Sequence, residues 1–120
     1  MYTNIEAQVA LAKCKEGKKI YGVRMEKKAL GWEYNWAFVI SEKRAKAEKY
    51  DSTVIKGQIY PSKEYPGCPY CGTKTFVICG NCKRLYCYDK SERISTCEWC
   101  GNVGELADYT GSGISSSEDI

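Results

Sequence analysis

Hydrophobic and polar positions alternate most regularly over residues 31–41. Trp32, Tyr34, Trp36, Phe38 and Ile40 occupy every second position, with Glu33, Asn35, Ala37, Val39 and Ser41 between them. A period of two predicts a half-buried β-strand, because successive side chains of a strand point to opposite faces. Five large side chains on one face would nucleate a small core, each contributing about 1.5–3 kcal/mol when fully buried. The same stripe could stack nucleic-acid bases, but a plain core accounts for it more simply.

Upstream, residues 1–14 read two ways. Thr3 and Glu6 have the spacing of a helix capping box, whereas Val9 and Leu11 alternate with small residues ahead of Cys14, as in a strand. We adopt a strand near 7–13. Gly17 offers a turn, and KKIYGVRME comes next as a strand with Tyr21, Val23 and Met25 on one face. SEKRAKAEKYD, with Ser41 as N-cap, predicts a short helix. Its Lys43, Arg44 and Lys46 read as a solvated face. STVIKGQIY reads as one strand ended by Pro61. Beyond PSKEYPG, the stretch TFVICGNCKRLYCYD reads as strand, turn, strand, and RISTCEWCG adds a third short strand and a closing turn. TGSGISSSEDI is Gly/Ser-rich and acidic and predicts a disordered tail. The fold expected is therefore small and mostly β with one short helix. Residues 1–60 would form a β-rich layer and 61–106 a cysteine-rich double-zinc ribbon folding as one unit with it, with a disordered 107–120 at the end.

Composition adds the chemistry. The 120 residues hold eight cysteines and no histidine. Neither a signal-peptide pattern nor an 18-residue apolar run is visible, so a cytoplasmic, reducing compartment and no membrane span are expected. There, dense cysteine points to metal rather than disulfides. Three pairs, Cys68/Cys71, Cys79/Cys82 and Cys97/Cys100, are C-x-x-C, the turn that offers two thiolates from one tight loop. Glycine after the second cysteine, at Gly72 and Gly101, suits a turn that closes with positive φ. Lacking histidine, the chain has no Ser-His-Asp or Cys-His pair and no histidine-bearing catalytic metal site, so a non-enzymatic role is expected. The formal charge of +3 also misleads. Each four-thiolate zinc centre adds −2 relative to neutral thiols, so two such centres give −1.

Eight thiolates fit two closed sites. In the preferred partition Cys79, Cys82, Cys97 and Cys100 share one ion, at zinc-ribbon spacing, and Cys14, Cys68, Cys71 and Cys87 share the other. The rival joins Cys68/Cys71 to Cys97/Cys100 and leaves Cys14, Cys79, Cys82 and Cys87. A lone cysteine such as Cys14 is ordinarily a small buried hydrophobe, but here it completes the count. Two Zn²⁺ ions are expected, with iron as the alternative in the same ligand set. Each structural zinc supplies on the order of 10–16 kcal/mol of apparent folding free energy in small peptides.

Over roughly residues 10–105 the succession CKEGKKIYGVRME, GWEYNWAFVI, VIKGQIY, YPGCPYCG, TFVICGNCKRLYC and TCEWCG is similar to the C-terminal metal-binding domain of TerY proteins of bacterial tellurium-resistance operons. The resemblance implies an eight-cysteine metal-chelating module. In that family the module comes after a von Willebrand A-type domain and works beside phosphatases and kinases of stress-response systems. No such domain is expected within these 120 residues, which read as either a stand-alone member or an excised domain.

Three functions are compatible with these residues. The leading one is a non-enzymatic zinc module supporting protein–protein contact, with a von Willebrand A-type domain, a phosphatase or a kinase as the partner the resemblance implies. The second is a nucleic-acid-binding ribbon using Lys83, Arg84 and Lys90, with Tyr86, Tyr88 or Trp99 stacking. The third, a dithiol oxidoreductase using Cys68-Pro69-Tyr70-Cys71, requires a low-pKa thiol at a helix N-terminus, and the residues after Cys71 read as turn and strand.

Overall fold

The strand β1 (Ala7–Lys13) is where the other elements meet. A computed structural model describes residues 7–15, 18–41, 43, 53–55, 57–88, 93–105 and 114–118. Across them run β2 (Ile20–Lys28), β3 (Gly31–Val39), β4 (Thr53–Ile55), β5 (Ile59–Pro61), β6 (Phe76–Ile78), β7 (Leu85–Cys87), β8 (Ile94–Thr96), β9 (Val103–Glu105) and β10 (Ile114–Glu118). The fold is small and mostly β, as the patterning predicts. The helix expected over 41–51 falls, but for Ser41 and Lys43, outside the described residues. So do Thr3, Glu6, Gly17 and Lys90. No helix among the described residues is long and apolar enough to cross a membrane.

One edge of β1 is shared by two strands placed end to end. Residues 8–10 pair antiparallel with β10, and residues 12–13 pair parallel with β7. Its other edge pairs antiparallel with β2 along its whole length. A strand covered on both edges and both faces should be largely apolar, and Ala7 to Ala12 are all buried, with Gln8 the one polar side chain among them.

The main sheet runs β4-β10-β1-β2-β3-β5, with β7 and β6 branching from β1. Laid flat, six strands about 4.8 Å apart would put the outer two about 24 Å from each other. The chain from Ile55 to Ile59, which joins those outer strands, reaches at most about 14 Å. The sheet is therefore curled until its edges approach. Its concave interior holds Ala10, Ala12, Tyr21, Val23, Met25, Trp32, Leu85 and Ile114, with Ile59 and Phe76 packed against them. Small Ala10 and Ala12 at the centre make room for the large Tyr21 and Leu85. On the opposite face of β1 and β2, Val9, Leu11 and Ile20 pack with Ile40, Phe38 and Trp99.

Three expectations are corrected. First, the stripe of five large residues does not share one face. Arg24 is opposite Trp36 while Met25 is opposite Tyr34, which leaves Asn35 as an extra residue in β3. A bulge shifts the two-residue period by one. Trp32 and Tyr34 consequently point into the interior, and Phe38 and Ile40 join the other face. Trp36 remains 53% exposed. Asn35 is held by polar partners: its amide donates to Glu26 at 2.8 Å and its carbonyl oxygen accepts from Arg24 at 3.4 Å. Second, STVIKGQIY is two strands rather than one. The chain breaks at Gly57, which has φ 111°, so that β4 pairs with β10 at one edge and β5 with β3 at the other. Third, the stretch expected as a disordered tail forms β10 over residues 114–118. Ile114 is fully buried in the interior, so one apolar side chain plus pairing to β1 and β4 outweighs the polar composition.

Candidate metal centre

The eight cysteines form no disulfide. They gather into two tetrads, Cys14/Cys68/Cys71/Cys87 and Cys79/Cys82/Cys97/Cys100, with the sulfurs of each tetrad within 4.8 Å of one another. This grouping is the preferred one of the two partitions that the spacing left open. In the first tetrad the Sγ atoms of Cys71 and Cys87 lie 3.8 Å apart. In the second, Cys79–Cys100 and Cys82–Cys97 are each 3.7 Å apart. A disulfide would put them about 2.05 Å apart. Four sulfurs at about 2.3 Å from a tetrahedral ion would sit about 3.8 Å from each other. The donor set and its spacing fit a tetrahedral thiolate-bound ion.

Backbone turns place the sulfurs, and four turns share one design. The amide of the first residue donates to the carbonyl five positions on, and its own carbonyl accepts from the amide four positions on. This holds for Cys68 with Thr73 and Gly72 at 2.8 Å each, and for Cys79 with Arg84 at 3.0 Å and Lys83 at 2.9 Å. It holds equally for Cys97 with Asn102 at 2.9 Å and Gly101 at 3.0 Å, and for Cys14 with Lys19 and Lys18 at 2.8 Å each. The fourth residue after each leading cysteine adopts positive φ: Lys18 at 54°, Gly72 at 79°, Lys83 at 64° and Gly101 at 78°. Two are the glycines expected in that role, and two are lysines that carry the conformation without that ease. What sequence reasoning missed is that the turn offered by Gly17 belongs to this set, because Gly17 stands where the second cysteine would be. The signal that could have found it is the likeness of CKEGKKI to CGNCKRL.

Inside each C-x-x-C turn, amides point at the leading sulfur. Tyr70 N–H donates to Cys68 Sγ (3.4 Å), Cys82 N–H to Cys79 Sγ (3.5 Å), and Trp99 and Cys100 N–H to Cys97 Sγ (3.3 and 3.5 Å). Such bonds favour the ionised sulfur. Two side chains missed by sequence reasoning add to them. The Tyr21 hydroxyl lies 3.1 Å from Cys87 Sγ in the buried interior, and the Asn81 amide donates to Cys100 Sγ at 3.5 Å.

Comparison with family models, with curated proteins and with solved structures finds no match to this chain.

The environments of the thiols differ. Burial pushes the Cys87 thiol well above its ordinary value, against the hydrogen bond from Tyr21. Burial likewise raises Cys82. The exposed Cys100 is lowered to about 6, first by the Asn81 side chain and then by the backbone at Asn102. A bound cation reverses the cost of burying thiolates, since it stabilises the deprotonated sulfurs directly.

Several of the described residues considered for the other two functions are engaged in packing or in turns. Tyr86 is buried, with its hydroxyl on Ser95 at 3.0 Å. Trp99 donates its indole N–H to Leu85 O at 2.7 Å, with Lys13 and Arg84 over its ring at 4.6 and 5.0 Å. Cys68 is buried, and the chain after Cys71 is a turn leading into β6, so no helix begins at the CPYC pair.

Proposed function

We propose that this chain is a non-enzymatic module built on two structural zinc ions, whose role is contact with a protein partner. The observation that carries the reading is the pair of closed thiolate tetrads with sulfur spacings of 3.7–3.8 Å. With an ion bound, protein sulfur would fill all four positions of each tetrahedron, which would leave no place for a substrate or an activated water. Bound zinc would supply cross-links between elements distant in sequence rather than chemistry. Zinc is chosen over iron because nothing among the described residues asks for electron transfer. The resemblance to the TerY metal-binding domain supports a bacterial stress-response setting and a von Willebrand A-type domain, phosphatase or kinase as partner.

Native mass spectrometry with elemental analysis tests the reading. Two zinc ions per chain are expected. A chain that folds and carries none, or carries iron after expression with both metals supplied, would overturn it. Electrophoretic shift with random single- and double-stranded nucleic acid at low salt tests the alternative; binding that weakens steeply with salt would favour it.

A further inference from the structure

The two tetrads are variants of one unit. Site B (Cys79/Cys82/Cys97/Cys100) joins the turn beginning at Cys79 to the turn beginning at Cys97. Site A (Cys14/Cys68/Cys71/Cys87) joins the turn beginning at Cys14 to the turn beginning at Cys68. In each site the aromatic residue two positions into the C-x-x-C-G turn reaches across to its partner turn. Trp99 donates to the carbonyl of Leu85, six positions after Cys79, and Tyr70 donates at 3.0 Å to the carbonyl of Ile20, six positions after Cys14. Each ring also lies under the basic residue five positions after that cysteine, Arg84 in site B and Lys19 in site A. The closing strand pairs correspond as well: Lys13 with Ile20, and Ile78 with Leu85.

The sites differ in one ligand. Site B draws all four sulfurs from its own two turns. In the sequence of site A, Gly17 stands where Cys82 stands in site B. Its fourth sulfur comes instead from Cys87, on β7, the strand that leaves the Cys79 turn of site B. Alternation along β7 aims Cys87 at site A and its neighbour Tyr86 at site B, where Tyr86 packs with Cys79 and Cys97. Trp99 of site B pins the start of β7 through Leu85 O.

We infer that metal loading is ordered: site B is the autonomous, tighter site, and its formation positions Cys87 to complete site A. The inference rests on the two-metal reading above. Two quantities favour this order. Site B closes a loop of 14 residues between its cysteine pairs, whereas Cys14 and Cys68 are separated by 53. Loop-closure entropy alone favours the shorter by roughly sevenfold. Site A must in addition hold β7 in place, which site B does for it. The link runs through Trp99 rather than through the Lys18–Glu98 ion pair. That pair joins the turns of the two sites at 2.5 Å, but the Lys18 side chain is 66% exposed, and such pairs contribute little. Because coupling is reciprocal, loading site A also tightens site B; what differs is the intrinsic affinity.

The test uses the full chain carrying two metals, established first by native mass spectrometry, so that failure of the two-metal reading shows before the order is tested. Metal is withdrawn with a graded chelator while N-ethylmaleimide labels released thiols, and the labels are mapped by peptide. We expect Cys14, Cys68, Cys71 and Cys87 to label as the first metal leaves, with Cys79, Cys82, Cys97 and Cys100 protected until at least tenfold more chelator is present. The Cys68→Ser/Cys71→Ser variant should keep one metal, and Cys82→Ser/Cys97→Ser should lose both at the same chelator concentration. Trp99→Phe should bring forward the loss of metal from site A. Simultaneous labelling of both tetrads, site B labelling first, or an unshifted single metal in Cys82→Ser/Cys97→Ser would overturn the ordering.

Discussion

Replacing Tyr21 with phenylalanine isolates one hydrogen bond to a ligand. The ring is fully buried among Ala12, Val23, Leu85 and Cys87, and phenylalanine keeps its volume, so the interior stays packed. Only the hydroxyl 3.1 Å from Cys87 Sγ is lost. Burial, and then the bond to Cys87, push the Tyr21 phenol far up, so it stays protonated and can donate to a metal-bound thiolate. A hydrogen bond to a charged group is worth about 1.5–3 kcal/mol net. At 1.4 kcal/mol per factor of ten, that is roughly 10- to 100-fold in affinity at the Cys14/Cys68/Cys71/Cys87 site, the range found for partners of metal ligands. The other tetrad has no contact with Tyr21 and should weaken only through coupling between the sites. Chelator competition combined with native mass spectrometry reads both metals, and circular dichroism reports whether the sheet persists. Tyr86→Phe is the control, because its hydroxyl bonds Ser95 rather than a sulfur. A folded Tyr21→Phe protein holding both metals within twofold of the parent would show that the hydroxyl does not support the thiolate. Equal weakening at both tetrads would trace the effect to general loosening.

The bulge at Asn35 makes the two tryptophans of one stripe unequal: Trp32→Ala should cost about 3–5 kcal/mol in a denaturant titration of metal-loaded protein, and Trp36→Ala less than about 0.5 kcal/mol. Similar costs for both would show that the stripe faces one way. Gly22 is opposite Phe38, and a Cβ there would lie 2.6 Å from the ring; Gly22→Val should therefore destabilise by about 1–3 kcal/mol from overpacking while metal stoichiometry stays at two. Acidification should release metal, because binding needs thiolates: Cys82 and Cys87, raised by burial, must give up protons on binding, so affinity climbs with pH across the neutral range. Cys100, lowered to about 6 by Asn81 and then by the backbone, is already ionised at pH 7 and competes for protons only below about pH 6; a metal-retention curve flat from pH 5 to 8 would contradict this assignment.

Local patterning made several elements legible. Tyr21, Val23 and Met25 do share the buried face of β2, and the spacing of Cys79/Cys82 and Cys97/Cys100 favoured grouping them without excluding the rival partition, which the sulfur positions decide. What sequence could not supply was set by tertiary pairing. The extra residue in β3 exists only relative to β2, so alternation read along one strand carried the stripe past Asn35 as though nothing intervened. VIKGQIY is continuous in composition, and its division at Gly57 results from having partners at two different edges. The turn at Cys14, marked in the sequence by Gly17, lacked the second cysteine that would have placed it with the other three. Ile114 is a single apolar residue in polar surroundings, and its burial depends on an interior built from residues as far apart in sequence as Ala10 and Leu85.

The end-to-end sharing of the β1 edge bears on how this protein can be cut and tagged. Composition alone invites truncation near residue 106. Such a cut would remove β10, the described partner of β4, and strip cover from residues 8–10 of β1. Unpaired N–H and C=O groups on an apolar central strand are a template for another chain. The shortened protein would still carry all eight cysteines and the capacity to hold its ions, yet would be inclined to assemble edge to edge. The five residues of β10 thus act as the cover of a seam, and a fusion joined after Ile120 sits two residues beyond it.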